Sequence, residues 1–395
     1  MWQDVKNIYH LGIAILANIF YDFPSRKLRV IGVTGTDGKT TTTSLIYHIL
    51  NSAGLKTSMV TSIGAVISGK KYDMGFHVTT PSSFAIQKFF KKALDTGSKF
   101  LVLETTSHAL DQYRVFGIEF EIGVLTNVTH EHLDYHKTYQ NYLKIKAELL
   151  KMSKKAIVNR DDESFHQISN FKFLISKLVT YGMNKNADIN PKNFKFKTDL
   201  IGEFNKYNIL AAIAACKELG ISDKNIRKGI ESFVLPLGRE EVIYKKDFTA
   251  MIDFAHTPNA FEQILKSVRP MVKGRLIHVF GSAGQRDASK RPLMGKASSK
   301  YSDIIILTSE DPRSESVEKI CEEIESGIKN HESRTILKVY DRKKAIEAAI
   351  GIAEKGDFVI MTGKSHEKSM NYGHGEVPWD EYKAAKAALE LRFKN

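Results

Sequence analysis

The sequence predicts an α/β protein with mostly parallel sheets, and three observations lead to this fold class. Apolar runs with the length of buried strands recur along the chain, and segments with helical periodicity follow them. A glycine-rich turn joins the first apolar run to the first helical segment. The series restarts beyond Pro236 and Gly238, which are residue types that commonly interrupt regular structure. Alternation of this kind is typical of parallel sheets covered by helices, here in two successive domains.

The first domain is predicted from four apolar runs of strand length, at 28–33, 100–103, 122–126 and 156–159. Apolar residues at helical spacing follow the first run and stop at Gly54, a residue type that often ends helices. Residues 170–200 are polar and rich in lysine, so we expect either a small β-rich excursion or a surface loop there. An alanine-rich helix is predicted over 208–219.

The second domain is predicted from four further apolar runs, at 250–254, 276–280, 303–308 and 358–361. We place the boundary at residue 236, so that the first domain is 28–236 and the second is 237–395. Residues 1–27 are expected to form a linking helix. Their uncharged stretch, 7–21, is shorter than the roughly 18 apolar residues that span a bilayer. We therefore expect a helix packed on the first domain rather than membrane insertion.

Composition limits the class of protein further. The 395 residues are 42% hydrophobic and 26% charged, values of a folded globular chain rather than a disordered one. Cys216 and Cys321 lie far apart with no second cysteine near either of them. This excludes a zinc site built on cysteine spacing and fits a reducing, cytoplasmic compartment. The net charge of +13 comes from scattered lysines rather than a compact basic block, so no nucleic-acid partner is expected.

The glycine turn after the first strand has the chemistry of a phosphate-binding loop. Its glycines let the backbone approach phosphate oxygens, and the N-terminus of the following helix favours an anion. The common pattern requires a glycine where this chain has Val33, but the strand before the turn and the helix after it supply the expected context. We predict nucleotide phosphate binding, with Mg²⁺ reached by a threonine, at Gly35, Thr36, Asp37, Gly38, Lys39, Thr40 and Thr41.

Two further polar groups follow predicted strands, where ligands of such sheets bind. Glu104 comes directly after an apolar run and is either a ligand of Mg²⁺ or a charge that merely leaves the core. Residues 127–136 contain three histidines and two acids, which is an unusual density. This segment is predicted to be a metal site or a substrate site, the alternative being a polar helix start capped by Thr129.

Eight segments of the chain occur in an order that is found in a known family. They are GVTGTDGKTT at 32–41, TTP at 79–81, ETTSHAL at 104–110, TNVTHEHLDYH at 126–136, GEFNKYN at 202–208, DFAHTP at 253–258, KRPLM at 290–294 and GKSHE at 363–367. In these segments the chain resembles the Mur ligase family, and within it the MurE branch. The resemblance extends from about residue 28 to the C-terminus.

The resemblance implies a P-loop-type ATPase domain, a Rossmann-like C-terminal domain and an ATP-dependent ligase that forms amides from acids and amino acids. It implies that Lys39 is catalytic and that two Mg²⁺ ions are held by Thr40, Glu104, His132 and Lys146. Lys146 matches a lysine that such ligases carry as a carbamate, an anion able to hold the second Mg²⁺. Spacing alone would place Lys146 on the surface of an amphipathic helix. Further ATP contacts are implied for Asn208, Asp253, His256, Arg286 and Lys290.

The implied reaction joins a diamino acid to a muramoyl dipeptide through an acyl phosphate, in the synthesis of peptidoglycan precursors. The acceptor's muramoyl and peptide groups are expected at Thr79, Thr80, Thr106, Gln112 and Arg114, although a single threonine can equally be a cap or a turn. The incoming amino acid is expected at Arg291, Asp311, Arg313, Gly363 and Glu367, with Glu310 in the same motif.

The resemblance leaves the choice of amino acid between meso-diaminopimelate and L-lysine. In family members that add meso-diaminopimelate, the residues matching 310–313 are Asp-Asn-Pro-Arg, so Arg313 is retained and Asp311 replaces an asparagine. An arginine suits a distal carboxylate, whereas an added acid would suit a distal ammonium. Diaminopimelate carries both groups and lysine only one. Ser365 stands where the family has glycine, which indicates a slightly altered pocket.

The length before the phosphate loop is the larger departure from the family. There a domain that binds the UDP end of the acceptor precedes the loop, whereas here 34 residues precede Gly35. We expect that the acceptor is held without this domain, that a separate protein supplies it, or that the acceptor is a different carboxylate. The alternative functions are therefore a ligase resembling folylpolyglutamate synthase or extending a polymer, and a catalytically idle binding module.

Overall fold

A computed structural model describes residues 2–75, 79–169, 177–329 and 334–394 of the chain. The chain divides into two compact units, with the main change between Pro236 and Leu237. Two short segments of the first predicted domain, 130–137 and 201–203, group with the second unit, so that a single boundary does not describe the division.

The first unit contains one sheet of eight strands among the described residues, in the order β4-β3-β2-β5-β1-β6-β7-β8. Six neighbouring strands from β2 to β8 are parallel, and β3 and β4 add an antiparallel hairpin at one edge. The strands are β1 (Arg29–Thr34), β2 (Thr57–Thr61), β3 (Gly64–Ile67), β4 (Lys70–Tyr72), β5 (Phe100–Glu104), β6 (Phe120–Leu125), β7 (Ser153–Asn159) and β8 (Leu178–Tyr181).

Helices cover both faces of this sheet, which explains why its strands are apolar runs rather than alternating patterns. Along β5, Val102 packs with one buried cluster and Leu101 with another on the opposite face. The α-helices up to residue 236 are α1 (Trp2–Phe20), α2 (Lys39–Ser52), α3 (Ser83–Asp95), α4 (Ser107–Asp111), α5 (Leu133–His136), α6 (Tyr139–Lys151), α7 (Ser164–Ser169), α8 (Glu203–Glu218) and α9 (Asp223–Glu231).

Helix α1 packs on the first unit, as the uncharged stretch predicts. The Asn18 side chain donates to the Phe116 carbonyl at 2.9 Å and accepts from Gln87 of α3 at 3.1 Å. These bonds satisfy a polar group that is 2% exposed. Among the described residues, no helix is long and apolar enough to cross a membrane.

The lysine-rich region 170–200 contains one strand of the main sheet, which neither a separate β-rich excursion nor a surface loop would include. Leu178–Tyr181 forms β8, which pairs in parallel with β7 and completes the edge of the main sheet. The remainder, from 182 to 200, is irregular apart from one isolated bridge between Tyr181 and Ile189. Residues 170–176 of this predicted region lie outside the described residues. A four-residue strand is too short to stand out in a polar sequence, because it offers only two side chains to each face.

The second unit contains a six-stranded sheet in the order β13-β12-β11-β14-β10-β9 and a separate two-stranded ribbon, β15 with β16. All pairs of the large sheet are parallel except β9 with β10. The strands are β9 (Glu241–Lys245), β10 (Thr249–Asp253), β11 (Leu276–Phe280), β12 (Ile304–Leu307), β13 (Thr335–Lys338), β14 (Phe358–Thr362), β15 (Ser369–Asn371) and β16 (Glu376–Pro378). The helices are α10 (Pro258–Val268), α11 (Lys290–Ser299), α12 (Val317–Glu325), α13 (Arg342–Ile352) and α14 (Glu381–Lys394).

The four strands predicted in the second domain correspond to β10, β11, β12 and β14, the central strands of this sheet. Their residues are buried throughout, whereas the edge strands β9 and β13 carry half-exposed side chains and were not predicted. In each unit the carboxyl ends of the parallel strands meet at one edge of the sheet. These two carboxyl edges carry most of the predicted site residues.

Candidate active site

The predicted phosphate loop lies between β1 and α2, and its backbone is shaped by two glycines. Gly35 and Gly38 have φ angles of 150° and 79°. A Cβ atom on Gly35 would lie 1.8 Å from Thr126 Oγ1, and one on Gly38 would lie 2.3 Å from Asn208 Oδ1. Only glycine therefore fits at these two positions. Helix α2 begins directly after the loop at Lys39, so the amides of its first turn are free of helical partners.

Backbone and side-chain bonds from the end of β6 hold the loop in place. The Thr36 amide donates to the Asn127 carbonyl and the Asp37 amide to Asn127 Oδ1, both at 2.9 Å. Thr126 Oγ1 donates to the Asp37 carbonyl at 2.7 Å. The loop is therefore ordered by the protein itself, and an anion does not need to order it on binding.

Beside the loop, Glu104 and two hydroxyl groups form a cluster of oxygen atoms. Thr40 Oγ1 lies 3.0 Å from Glu104 Oε2 and 3.1 Å from Ser62 Oγ. The Ser62 amide donates to the same Glu104 oxygen at 3.0 Å. Glu104 is 2% exposed. This carboxylate therefore does not merely leave the core, because it is buried against the threonine that the motif assigns to Mg²⁺.

The donor set fits a hard cation, because carboxylate and hydroxyl oxygens are the ligands that Mg²⁺ prefers. No group of three or more His, Cys, Asp or Glu side chains that could hold a metal occurs in the described part of the chain. Ser62 does not stand out in the sequence, because it lies just beyond β2 and is brought to Glu104 only by the pairing of β2 with β5.

Two lysines contact the backbone of the loop, Lys39 at the start of α2 and Lys146 on α6. Lys39 Nζ donates to the Thr36 carbonyl at 2.7 Å, and Lys146 Nζ donates to the Gly35 carbonyl at 2.6 Å. Lys146 is 1% exposed and its ammonium lies 4.5 Å from the centre of the Tyr142 ring. The surface position that helical spacing alone indicates for Lys146 is therefore wrong, whereas its neighbour Lys144 is exposed.

Asn208 also lies against the loop. It sits on α8, is 6% exposed, and its Oδ1 accepts from Thr42 at 3.3 Å. Its Nδ2 donates to Asn205 Oδ1 at 3.2 Å. Thr41 is buried in the first turn of α2. These contacts place Asn208 beside Gly38, and its predicted role at an adenine stays a prediction.

Four of the five residues predicted for the acceptor form one network after β5. Thr80 Oγ1 donates to the Glu104 carbonyl at 3.0 Å and accepts from the Thr106 amide at 2.9 Å. Arg114 donates to the Thr80 carbonyl and to Gln112 Oε1, both at 2.9 Å. Thr106 also caps α4, so the structural alternative for this threonine holds as well. Thr79 is half-buried and its predicted role is not tested by these bonds.

In the second unit, the histidine-rich segment is held by an ion pair. Glu131 accepts from Lys290 Nζ at 3.1 Å, and the same Nζ donates to the His256 carbonyl at 2.9 Å. His132 has a φ of 57° and its Nδ1 lies 3.9 Å from Glu131. Thr129 does not cap α5, which follows His132. Because His132 groups with the second unit and Glu104 with the first, a metal site shared by them stays a prediction.

The residues predicted to reach ATP from the second unit mostly shape the turn after β10. Asp253 accepts from the amides of Ala255 at 2.7 Å and Glu240 at 2.9 Å. His256 Nδ1 lies 2.8 Å from the Phe254 carbonyl. Lys290 is paired as described above. These bonds give Asp253, His256 and Lys290 a structural role, and the predicted contacts of these residues with ATP stay predictions.

Arg291 is held by partners within the protein. The side chain is 0% exposed and pairs with Glu315 at 2.9 Å and with Glu323 at 2.6 Å. A third bond reaches the Ala283 carbonyl at 3.2 Å. These partners fasten α11 to α12 and give Arg291 a structural role, and its predicted role in binding the amino acid stays a prediction.

Arg313 contacts the backbone of a neighbouring turn. It is half-buried, has a φ of 53°, and donates to the Gly284 carbonyl. Burial lowers the pKa of Arg313, and the positive charge of Arg286 lowers this pKa further. The predicted role of Arg313 at the amino acid and that of Arg286 at ATP stay predictions.

Asp311 is engaged by a buried lysine. Lys364, at 0% exposure, donates to Asp311 Oδ1 at 2.9 Å and to Glu367 Oε2 at 2.6 Å. The Asn371 amide donates to the same Asp311 oxygen at 2.9 Å. Burial acts to lower the pKa of Lys364, but its two carboxylate partners outweigh burial and raise this pKa. Asp311 therefore serves to neutralise Lys364, which the sequence pattern could not reveal.

Glu310 and Gly363 meet at the ends of β12 and β14. Gly363 has a φ of 102°, and a Cβ atom there would lie 2.3 Å from Glu310 Oε2. That buried oxygen has no hydrogen-bond partner within the described residues. Burial raises the pKa of Glu310 to about 8. The carboxyl edge of the second sheet thus holds a buried acid that is easily protonated.

Comparisons with known proteins agree with this geometry. The Mur ligase middle domain matches residues 33–216, and the Mur ligase glutamate ligase domain matches residues 238–365. The UDP-N-acetylmuramoyl-L-alanyl-D-glutamate–2,6-diaminopimelate ligase of Aquifex aeolicus is 42% identical over 393 residues, covering 94% of this chain and 80% of the relative.

Two solved structures have the same fold. A UDP-N-acetylmuramoyl-L-alanyl-D-glutamate–2,6-diaminopimelate ligase superposes with a TM-score of 0.62 at 29% identity, covering 93% of this chain and 79% of the other. The bifunctional folylpolyglutamate synthase/dihydrofolate synthase of Yersinia pestis, complexed with AMPPNP and a manganese ion, has a TM-score of 0.73 at 18% identity. The alignment with this second structure covers 96% of this chain and 93% of the other, and at this identity it supports the fold alone.

The predicted α/β fold and the predicted family are confirmed. With a relative at 42% identity over most of both sequences, the chain belongs to the Mur ligase family, whose members are ATP-dependent enzymes that form amide bonds.

Proposed function

We propose that the chain joins a diamino acid to a muramoyl dipeptide at the expense of ATP, through an acyl phosphate. The observation that carries this proposal is the preformed phosphate loop, whose Thr40 hydroxyl lies 3.0 Å from the buried Glu104 carboxylate. A loop for phosphate and a carboxylate for its counter-ion are the parts that phosphoryl transfer needs.

In this proposal the loop residues 35–41 bind the ATP phosphates through their amides, and Lys39 turns from the Thr36 carbonyl to the terminal phosphate. Thr40, Glu104 and Ser62 would hold Mg²⁺, which, when bound, neutralises the charge on the transferring phosphoryl group. Lys146 would carry the carbamate that the family resemblance implies. Its place against the loop supports this role, because Lys146 is buried and its Nζ lies 2.6 Å from the Gly35 carbonyl.

The acceptor would be held by the network of Thr80, Thr106, Gln112 and Arg114, which joins the carbonyl of Glu104. Arg114 supplies a positive charge for the acceptor's carboxylate groups. This network would bring the acceptor's reacting carboxylate to the end of β5, the neighbour of β1, which the phosphate loop follows.

For the amino acid, the half-buried guanidinium of Arg313 would suit a substrate with a distal carboxylate. Meso-diaminopimelate has such a group and L-lysine lacks it. Asp311 and Glu367 both pair with Lys364, so an ammonium of the substrate would have to share these two carboxylates with Lys364. The name of the Aquifex relative, a 2,6-diaminopimelate ligase, agrees with this choice.

The chemistry proceeds in two displacements. A carboxylate oxygen of the acceptor attacks the terminal phosphorus of ATP, and the bond from that phosphorus to the bridging oxygen of ADP breaks. The amine of the diamino acid, after loss of one proton, then attacks the acyl carbon, and phosphate leaves with the former carboxylate oxygen. Exclusion of water protects the acyl phosphate between these steps.

A ligase that acts on another carboxylate is the alternative. The acceptor network after β5 and the identity of 42% to a muramoyl-peptide ligase favour the muramoyl acceptor. We therefore retain the muramoyl acceptor in the proposal.

Mass spectrometry of the products tests the proposal. The chain is incubated with ATP, Mg²⁺, UDP-muramoyl-dipeptide and, in separate reactions, meso-diaminopimelate, L-lysine and L-ornithine. We expect the mass of one amide product with meso-diaminopimelate, and ADP in equal amount. Formation of product only with a folate or another carboxylate would overturn the assignment.

Two lysine variants test the site that carries the proposal. Lys39→Ala and Lys146→Ala are expected to lower kcat by a factor of about 1,000 or more, because the first removes the charge proposed to reach the terminal phosphate and the second removes the amine proposed to carry the carbamate. Lys144→Ala is the matched control, since Lys144 lies exposed on the same helix as Lys146. Equal turnover by Lys146→Ala and Lys144→Ala would contradict the role of Lys146.

A further inference from the structure

A fully buried ion pair lies behind the carboxyl edge of the second sheet. Arg342, the first residue of α13, and Glu381, the first residue of α14, are both 0% exposed. Arg342 Nε donates to Glu381 Oε2 at 2.9 Å and Nη2 donates to Oε1 at 2.6 Å. Trp379 Nε1 also donates to Glu381 Oε2, at 2.8 Å. The two planar groups are therefore locked in a bidentate arrangement.

The same guanidinium reaches two strand ends. Arg342 Nη2 donates to the Thr362 carbonyl at 2.7 Å, and Nη1 donates to the Ser309 carbonyl at 3.2 Å. Thr362 ends β14 and Ser309 follows β12, and β11 lies between these two strands in the sheet. A single side chain thus ties together two strands that are not neighbours.

The residues that follow these two carbonyls belong to the proposed amino-acid site. Ser309 is followed by Glu310, Asp311 and Arg313, and Thr362 is followed by Gly363, Lys364 and Glu367. Glu310 and Gly363 are close enough that no Cβ atom fits on Gly363. A shift of either turn relative to the other would therefore open or close this contact.

Stability is a poor explanation for a charge in this position. The N-terminus of a helix carries partial positive charge, which opposes an arginine at the first position of α13. Burial of both charges costs several kcal/mol, and an apolar pair of similar volume is often as stable. What the guanidinium provides, and an apolar side chain cannot, is directed bonds to three acceptors at once.

We propose that Arg342, held by Glu381, is a positioning residue that fixes the turns 309–313 and 362–367 relative to each other and so sets the affinity for the incoming amino acid. This inference rests on the proposed function. The inference adds two side chains that are fully buried and do not contact a substrate. The positioning role requires both the charge of the arginine and its planar, forked guanidinium group.

The second unit offers a matched control at the opposite end of the same sheet. Arg275 pairs with the buried Asp357 at 2.7 Å and donates to the Ile352 carbonyl at 2.9 Å. Arg275 directly precedes β11 and Asp357 directly precedes β14, so this pair ties the amino ends of the strands. Its removal should lower stability without moving the carboxyl edge.

The experiment compares Arg342→Lys and the double variant R342M/E381Q with R275M/D357N, each as the full chain. Hydrogen–deuterium exchange is measured for peptides covering 309–313 and 362–367, and thermal unfolding is measured in parallel. In R342M/E381Q we expect faster exchange in both turns. In R275M/D357N we expect a lower Tm with unchanged exchange in these turns.

Steady-state kinetics supply the functional readout. For the Arg342 variants we expect KM for the diamino acid to rise about tenfold or more, with KM for ATP changed less than about twofold. Arg342→Lys should resemble the double variant, because a lysine keeps the charge but cannot bond to Glu381 and two carbonyls together. If the double variant fails to fold, the exchange and kinetic measurements on Arg342→Lys test the inference.

Unchanged exchange in both turns, or wild-type kinetics in Arg342→Lys, would overturn the inference, as would an equal rise in KM in the Arg275 control. Failure of the proposed function has a different signature. The wild-type chain would then show no amino-acid-dependent phosphate release, while the exchange measurement would still decide whether Arg342 fixes the two turns.

Discussion

The carboxyl edges of the two sheets are built from different chemical groups. In the first unit the edge is made of glycine backbone, threonine and serine hydroxyls, two asparagines, two lysines and the buried carboxylate of Glu104. In the second unit it is made of charged side chains that neutralise one another, such as Lys364 with Asp311 and Arg342 with Glu381. The first edge is suited to one highly charged anion, and the second to a zwitterion with several charges.

The two edges therefore depend on the sequence in different ways. The loop of the first unit is a continuous segment whose shape follows from glycine positions, so a single added methyl group should destroy it. The second edge depends on pairs that are far apart in the chain, so removal of one partner should leave an uncompensated buried charge. Substitutions of the two kinds should therefore have effects of different character.

Gly35→Ala should have the largest effect on activity. The new Cβ atom would lie 1.8 Å from Thr126 Oγ1, at a φ of 150°, so the loop must move. A displacement of ~1 Å at a phosphate-binding group lowers kcat/KM about 100-fold or more. The control is Gly54→Ala, which has a comparable positive φ of 80° but open space around it, and which should cost only about 1 kcal/mol of stability. Activity retained by Gly35→Ala would contradict a fixed loop.

Lys364→Met should have the largest effect on stability. It leaves the carboxylates of Asp311 and Glu367 without their buried cation, which should cost about 3–5 kcal/mol in the free energy of unfolding measured with urea. Lys91→Met removes an exposed pair with Asp95 and should cost under about 1 kcal/mol. Similar losses in the two variants would show that the second edge does not depend on buried charge compensation.

Glu310→Gln should change stability in a way that depends on pH. Because burial raises the pKa of Glu310 to about 8, the folded state favours the protonated acid, and wild-type stability is lost as pH rises from about 4.5 to about 8. Glutamine has no such penalty, so the variant should match the wild type near pH 4 and exceed it at about pH 9. At ~1.4 kcal/mol per pKa unit the gain is on the order of 5 kcal/mol as an upper value. Thermal unfolding as a function of pH measures it, and a gain independent of pH would contradict the raised pKa.

The comparison also explains what the sequence could predict. The phosphate loop, Glu104 at a strand end and the central strands all follow from local patterns of glycine and apolar residues. Ser62 could not be identified as a site residue from the sequence, because only the pairing of β2 with β5 brings it to Glu104. Lys146 looked like a surface residue, since a lysine at a helical position carries no sign of the cavity into which it folds.

In the second unit, local patterns predicted the four central strands but none of the buried ion pairs, and the motif at 310–313 came from the family resemblance. Arg291 resembles a substrate ligand in a basic motif, but its partners Glu315 and Glu323 lie 24 and 32 residues away. Arg342 and Glu381 are 39 residues apart and belong to two different helices, so no spacing rule connects them. Ion pairs of this kind are set by tertiary packing and become visible only in the folded structure.

Transfer of oxygen from the acceptor to phosphate tests the proposed ligase chemistry most directly. The wild-type chain is supplied with ATP, Mg²⁺, meso-diaminopimelate and UDP-muramoyl-dipeptide whose reacting carboxylate carries oxygen-18, and the released phosphate is analysed by mass spectrometry. An acyl phosphate requires one labelled oxygen in each phosphate that is released with product. Amide product accompanied by unlabelled phosphate would contradict attack of the carboxylate on the terminal phosphoryl group of ATP.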